Sequence, residues 1–380
     1  MLAFVGIIMV VLLGMAGLAL DSARGYVARS RLSRAVDAAA LAGARSLRQG
    51  QDTARQRALA LAAANGVSAA TGANVVVSFS KNAIGEDLVN VNANETLPTT
   101  FMRVLGEDIM GVQSRAVAAV PPLDLALVLD QSGSLGAANA FDDLQAAAKN
   151  FVDKFSEQID QLSLTSFQVR AGDHFNLNQP FKLSINNKIN QMVSAGDTNS
   201  REGLRYGYNQ LQSAQVRPRS VRILVFFTDG RPTAFRGMVG GQDRAMAVST
   251  TVTGKVRGYF NNPDALPLNQ TATPNGCAGA ATCFGMNEDA VRTKARTDAE
   301  AQATVIRQDK IYIYCIGLGD PKATNPILVP DMDFLRRLAN EGGIVSGSQP
   351  QGKAYFAPSA AELDKVFQAM AQDILVRLSE

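Results

Sequence analysis

Three short tracts of this 380-residue sequence collect small oxygen-bearing side chains: DQSGS at 130–134, AGDTNS at 195–200 and TDGRPT at 228–233. The apolar runs ALVL and VRILVFF lead into the first and third, and the second stands just ahead of a helical pattern. Asp130, Ser132, Ser134, Thr198 and Asp229 supply two carboxylates and three hydroxyls, without Cys or His. Such hard donors suit Mg2+, with Mn2+ or Ca2+ as alternatives, and argue against zinc or copper. Mg2+ binds oxygen at about 2.0–2.1 Å and keeps several waters. A shallow cluster of small side chains therefore leaves one position open, and an open metal position facing solvent receives a carboxylate. Taken one loop at a time, the residues also suit plainer roles: Ser132 and Ser134 as helix caps, Asp229 and Gly230 as a turn. That alternative does not explain why all three loops end up at strand ends.

The tracts can meet only if the intervening elements bring them together. Strand-like runs DLALVLD, LSLTSFQ, VRILVFFTD and IYIYCIGLG alternate with helical patterns at 138–155, REGLRYGYNQLQ, EDAVRTKARTDAEAQATVIRQ, DMDFLRRLANE and AELDKVFQAMAQDIL. A hairpin partner is expected around HFNLN and a short strand at KAYFA. Near-continuous apolar strands between amphipathic helices predict an α/β domain over 122–378, with an open, mostly parallel, doubly wound sheet. In such sheets ligands bind outside the carboxyl ends of the strands. The stretch 236–287, rich in Gly, Asn, Pro and Thr, breaks the alternation and reads as a long surface insertion.

The first twenty residues carry no charge. As a helix they would span roughly 30 Å, enough to cross a bilayer. A secretory signal peptide is the alternative, but the basic leader is missing and helical sequence continues beyond the run. A start upstream of Met1 would supply such a leader. The positive-inside rule would put Arg24, Arg29, Arg31 and Arg34 in the cytoplasm, which does not by itself decide the orientation. Residues 21–120 read as a helical extension to Gly50, a second helix capped near Asp52 or Thr53 and ending at Asn65 and Gly66, then strands at 75–80, 88–94 and 112–120. A short helix begun by Pro98 is expected between the last two. One long helix and a small sheet form a pilin-like α+β layout, and Pro121 and Pro122 mark its boundary.

The five oxygen-bearing residues match the metal-ion-dependent adhesion site of von Willebrand factor A domains: Asp-x-Ser-x-Ser, a Thr in a Gly-rich loop, and an Asp in a Thr-Asp-Gly turn. The resemblance covers roughly 122–378 and implies a Rossmann-like fold. It implies that Ser132, Ser134 and Thr198 touch the metal directly or through water, that Asp130 and Asp229 act through water, and that an acidic side chain of a protein partner completes the shell. The tract LALDSARGYVARSRLSRAVDAAALAGAR, with Asp21 and DAAALAGA, resembles the TadE/TadG group of tight-adherence (Flp) pilus assembly proteins. Members of that group often carry a von Willebrand A domain after this unit.

Together the resemblances imply a single-pass protein of the bacterial inner membrane with an extracytoplasmic C-terminal domain. Its expected role is pilus assembly, binding pilus or envelope proteins. The alternative is a surface adhesin that engages host or matrix protein without a pilus. No enzyme, small-molecule substrate or nucleic acid is expected: the charge is nearly balanced at +3, Gly-x-Ser-x-Gly and P-loop tracts are missing, and the single His174 falls in the predicted hairpin. Cys277 and Cys283 could close a small disulfide loop, and Cys315 reads as a core residue.

Overall fold

The computed structural model describes residues 2–249, 252–319 and 331–378. Met1, Thr250 and Thr251, and residues 320–330, which belong to the expected membrane helix, insertion and α/β domain, lie outside the described residues. The chain divides into two compact units, one ending at Pro121 and the other running from Pro122 to Leu378.

The first unit is built on α1 (Leu2–Ser46), a single helix that carries the apolar run straight on into the charged sequence. Helix α2 (Gln51–Ala64) folds back on it, followed by an antiparallel sheet of β1 (Ala73–Lys81), β2 (Asp87–Pro98) and β3 (Ile109–Val120). Leu32, Ala35, Val36 and Ala39 of α1 and Val89, Val91 and Val112 of the sheet are buried. Two expectations need correction. Helix α2 begins one residue after Gly50 rather than at an Asp52 or Thr53 cap, because Gly50 takes φ 111°, a backbone angle that suits glycine. Pro98 begins no helix; it ends β2, paired with Ile109. The 3-10 turn Met102–Leu105 is capped from elsewhere: the Asp21 carboxylate accepts the amides of Thr100 (3.1 Å), Phe101 (2.8 Å) and Met102 (2.9 Å). A carboxylate on three converging N–H groups does the work of an N-cap from a distant part of the chain.

The second unit contains β4 (Leu123–Asp130), α3 (Gly133–Ala137), α4 (Phe141–Val152), β5 (Gln161–Phe167), β6 (Ala171–Asn178), α5 (Lys182–Gln191), α6 (Ser200–Gln210) and β7 (Val221–Thr228). It continues with β8 (Ala234–Val239), β9 (Gln242–Val248), β10 (Val256–Asn261), α7 (Glu288–Gln308), β11 (Tyr312–Leu318), α8 (Met332–Ala339), β12 (Ala354–Ala357) and α9 (Leu363–Arg377). Six strands form one sheet in the order β12-β11-β7-β4-β5-β6, parallel except for β6 at one edge. Every residue of β4 is buried. Leu125, Leu127 and Leu129 face the core formed with α4, α5 and α9, whereas Ala126 and Val128 face α6, α7 and α8. The alternation is the two-residue period of a strand covered on both sides.

The helix expected at 138–155 is shorter and preceded by α3, since Asn139 at φ 52° breaks the helical run. Helix α5 was not anticipated, its sequence KLSINNKINQ being mostly polar. The insertion 236–287 has regular structure: β8, β9 and β10 make an antiparallel sheet whose Phe235, Met246, Val248 and Val256 pack with Val291 and Ala295 of α7. Cys277 and Cys283 form a disulfide within it. Cys315 is buried in β11, as expected.

Helix α6 lies close to the sheet through two glycines one turn apart. A Cβ at Gly203 would come within 2.5 Å of Phe167, and one at Gly207 within 2.5 Å of Val128. Gly207→Ala is therefore expected to overpack this contact and destabilise the unit by about 1–3 kcal/mol, read as a lowered denaturant midpoint. An unchanged midpoint would mean that the helix has room to shift.

Candidate metal centre

From β4 the chain crosses over one face of the sheet to β5, and from β6 it returns over the other face through α6 to β7. The crevice at the carboxyl ends of β4 and β7 is thus the point where the winding reverses, the place such sheets use for ligands. Asp130 is the last residue of β4, and Asp229 follows the last residue of β7. The loop 194–199 reaches the same crevice ahead of α6.

Asp130 is fully buried. Its Oδ1 accepts the Ser132 amide at 2.8 Å, and its Oδ2 accepts the Thr228 hydroxyl at 2.6 Å. The Ser132 hydroxyl lies 3.1 Å from that of Ser134 and donates to Asp229 Oδ1 at 3.5 Å. Four of the five expected residues therefore share one hydrogen-bonded cluster. Ser132 occupies the N-cap position of α3 but makes no side-chain capping bond, so its hydroxyl turns toward the acids rather than the helix. Ser134 is exposed and Asp229 partly so, which leaves the cluster open to solvent on one side.

Thr198 is brought alongside by its backbone. Its amide donates to Thr233 Oγ1 at 2.8 Å, and its carbonyl accepts the amides of Thr233 and Ala234 at 2.9 and 3.0 Å. The loop carrying it is stitched to the first: Gly133 N donates to Gly196 O, Ala195 N to Gln131 O, and Ser194 Oγ to Ser132 O. Gly196 takes φ 75°, and a Cβ there would run into the Gln168 side chain.

Burial pushes the carboxyl pKa of both Asp130 and Asp229 up, and the charge of Asp229 pushes Asp130 further; the hydrogen bonds from Thr228 and Ser132 offset only part of this. Among the described residues, hydroxyls and backbone amides are the partners of this acid pair, and none of them brings a positive charge. A cation fits such a place on chemistry alone: hard oxygens, small side chains, and negative charge in need of neutralisation. Among the described residues no three His, Cys, Asp or Glu side chains gather in a metal-binding group, so hydroxyls would have to make up much of the shell here.

Sequence reasoning missed several supports. Thr228, read only as part of a strand, is the hydroxyl that holds Asp130. Segment 267–272 of the insertion lies over the loops: Gln131 donates to Leu268 O, Gln168 to Pro267 O, and Gly196 N to Thr271 Oγ1. Arg257 of β10 is ion-paired with the buried Asp197 beside Thr198 and donates to Ala272 O at 2.6 Å. Nothing in the spacing of these residues signals the pairing. His174 lies in the β5–β6 hairpin, 2.6 Å from Ser166 Oγ, and so is engaged by a serine outside the cluster.

Two substitutions separate holding the fold from holding a cation. Thr228→Val takes a donor from a buried carboxylate and should cost about 1–3 kcal/mol of stability. Asp130→Asn removes buried charge, so melting in EDTA should be unchanged or higher while any stabilisation by Mg2+ disappears. A large loss of stability for Asp130→Asn in EDTA would assign the carboxylate a purely structural role.

The model of the von Willebrand factor type A domain matches residues 124–277, and that of the Flp pilus-assembly TadE/G-like family matches residues 1–46. The sheet continues beyond the first match with β11 and β12. No curated protein matches the chain in sequence. Among solved structures, a point mutant of the PilB minor pilin from Streptococcus sanguinis is similar at 16% identity and a TM-score of 0.48, over 81% of this chain and 80% of that one. The vWF domain of the type V pili tip protein Mfa5 from Porphyromonas gingivalis is similar at 15% identity and a TM-score of 0.44, over 69% and 97%. Proximal thread matrix protein 1 from the mussel byssus, in a form with a zinc-occupied MIDAS motif, is similar at 15% identity and a TM-score of 0.41, over 66% of this chain and 47% of that one. The chain thus carries a TadE/G-like N-terminal segment followed by a von Willebrand factor type A domain.

Proposed function

We propose that the protein is a membrane-anchored component of tight-adherence (Flp) pilus assembly whose von Willebrand A domain binds an acidic group of a protein partner through a divalent cation. The observation that carries this reading is the convergence of Asp130, Ser132, Ser134 and Asp229 on one solvent-open crevice, with two carboxylates and, among the described residues, no basic hydrogen-bond partner between them. Ser132, Ser134 and Thr198 would hold the ion, with Asp130 and Asp229 acting on it through water. Bound there, Mg2+ would supply a positive charge with a position for a partner carboxylate. The chain's own part is to keep the hydroxyls aimed and the acids close, which the hydrogen bonds of Thr228 and of the Ser132 amide do. The TadE/G-like segment supports a pilus-associated role.

Helix α1 is long and apolar enough to cross a bilayer, which fits a single-pass protein. In this reading the C-terminal unit is extracytoplasmic, and the Cys277–Cys283 disulfide supports that side, since such bonds persist in oxidising compartments.

Calorimetric titration of Mg2+ or Mn2+ into the protein should give saturable binding that Asp130→Ala abolishes. At a hundredfold excess over Kd the ion should add about 2.7 kcal/mol of stability. No binding by the folded protein would sink the cation reading. Cation-dependent retention of pilus components would support the assembly role, and cation-dependent attachment to cells lacking a pilus would favour the adhesin alternative.

A further inference from the structure

We propose that the tip joining β2 to β3 is a second membrane contact, seated in the interfacial layer of the bilayer beside α1 with Phe101, Val104 and Ile109 against lipid. The inference rests on α1 being the membrane anchor and adds a surface to it.

Register fixes where the tip lies. Along α1, Gly43 packs on Val89, Arg31 pairs with Glu95, Asp21 caps residues 100–102, and Gly17 lies directly under Phe101. Strand β2 therefore runs down the helix toward its apolar end, and β3 runs back. The lengths agree: from Gly43 to Gly17 a helix rises roughly 39 Å, and from Val89 to Phe101 an extended chain covers roughly 40 Å. The Phe101 ring occupies the space a Cβ at Gly17 would need, so the tip is pressed against the uncharged run 1–20 and not merely near it.

Three apolar side chains of the tip are uncovered. Val104 is 85% exposed, Ile109 64% and Phe101 42%. Beside it α1 exposes Met15, Leu18 and Leu20. Exposed apolar side chains on two adjoining elements, one of them the anchor, have lipid as their matching partner. Of the tip's charges, Arg103 and Asp108 pair at 3.0 Å, and the exposed Glu107 leaves one net negative charge, which belongs on the aqueous side of the same interfacial layer. Arg24 of α1 donates to Thr100 Oγ1 at 2.7 Å, which ties helix and tip together at the level of the headgroups.

The sequence has no tryptophan, so one introduced indole reports alone. The full chain would be reconstituted in phosphatidylcholine vesicles as Val104→Trp, with Ile109→Trp as a second reporter in case the first disturbs the turn. Val11→Trp marks the anchor. Ile84→Trp marks the far end of the sheet, roughly 35 Å away along β2. Quenching would be read with acyl-brominated lipid and with aqueous iodide.

The expected result is that Val104→Trp is quenched by brominated lipid, as Val11→Trp is, with iodide quenching less than about half that of Ile84→Trp. Bromolipid-insensitive, iodide-quenched emission from both tip variants, with Val11→Trp still quenched by lipid, overturns the tip contact and leaves the anchor standing. Loss of lipid quenching at Val11→Trp would overturn the anchor and the inference together.

Discussion

A sheet buried on both faces can hold charge only at its strand ends, and this constraint organises the second unit. Strand β4 is apolar along its core-facing length and ends in a buried carboxylate. That acid sits where α4 and α6 diverge to opposite faces, so loops and the first turn of α3 complete its surroundings among the described residues. Asp229 at the end of the neighbouring strand adds a second acid, and among the described residues the hydrogen-bond partners of the two bring no positive charge. The pair is uncomfortable without a counter-ion. The fold tolerates this because Thr228 and the Ser132 amide hydrogen-bond the carboxylate without discharging it.

The loops around the acids are held from three directions, which is how small flexible residues become a defined donor set. Gly196 allows the second loop to pass close to Gln168, and Asp197 and Thr198 on the same loop are tied to the insertion and to the third loop. The small sheet β8-β9-β10 is thus part of the frame around the cluster. In the first unit Asp21 has the corresponding role, locking a turn by three amides.

What the sequence made legible was local or periodic. The unbroken apolar run of β4, the pattern of α7, and the Asp-x-Ser-x-Ser tract could be read from neighbours, and the order of strands and helices gave the doubly wound architecture. The oxygen cluster followed because strand ends in such sheets share an address. What stayed hidden was non-local or compositionally disguised. Strands β8 to β10 lie in a Gly- and Asn-rich stretch whose burial depends on α7. Arg257 and Asp197 are far apart in sequence, and no periodicity links them. Thr228 looks like any β-branched strand residue until its hydroxyl is seen on Asp130. Helix α5 shows little amphipathic contrast in its sequence, and only its contacts bury Ile185 and Ile189. Capping by Asp21 replaced the helix start that Pro98 suggested.

The position of β4 also decides how the protein would bear tension. The polypeptide passes from Pro121 and Pro122 straight into this strand, and the oxygen cluster stands at the strand's other end. Under the proposed function, a pull between a partner held at the cluster and the membrane would enter β4 at one end and leave it at the other. Parallel ladders flank it on both sides, to β5 and to β7, so the load would fall on both in shear rather than unzip one pair at a time. Resistance to such a pull is governed by the rate of unfolding rather than by equilibrium stability. A tether entering through the edge strand β6 or β12 would instead peel the sheet from its margin, and the central entry point avoids that weakness.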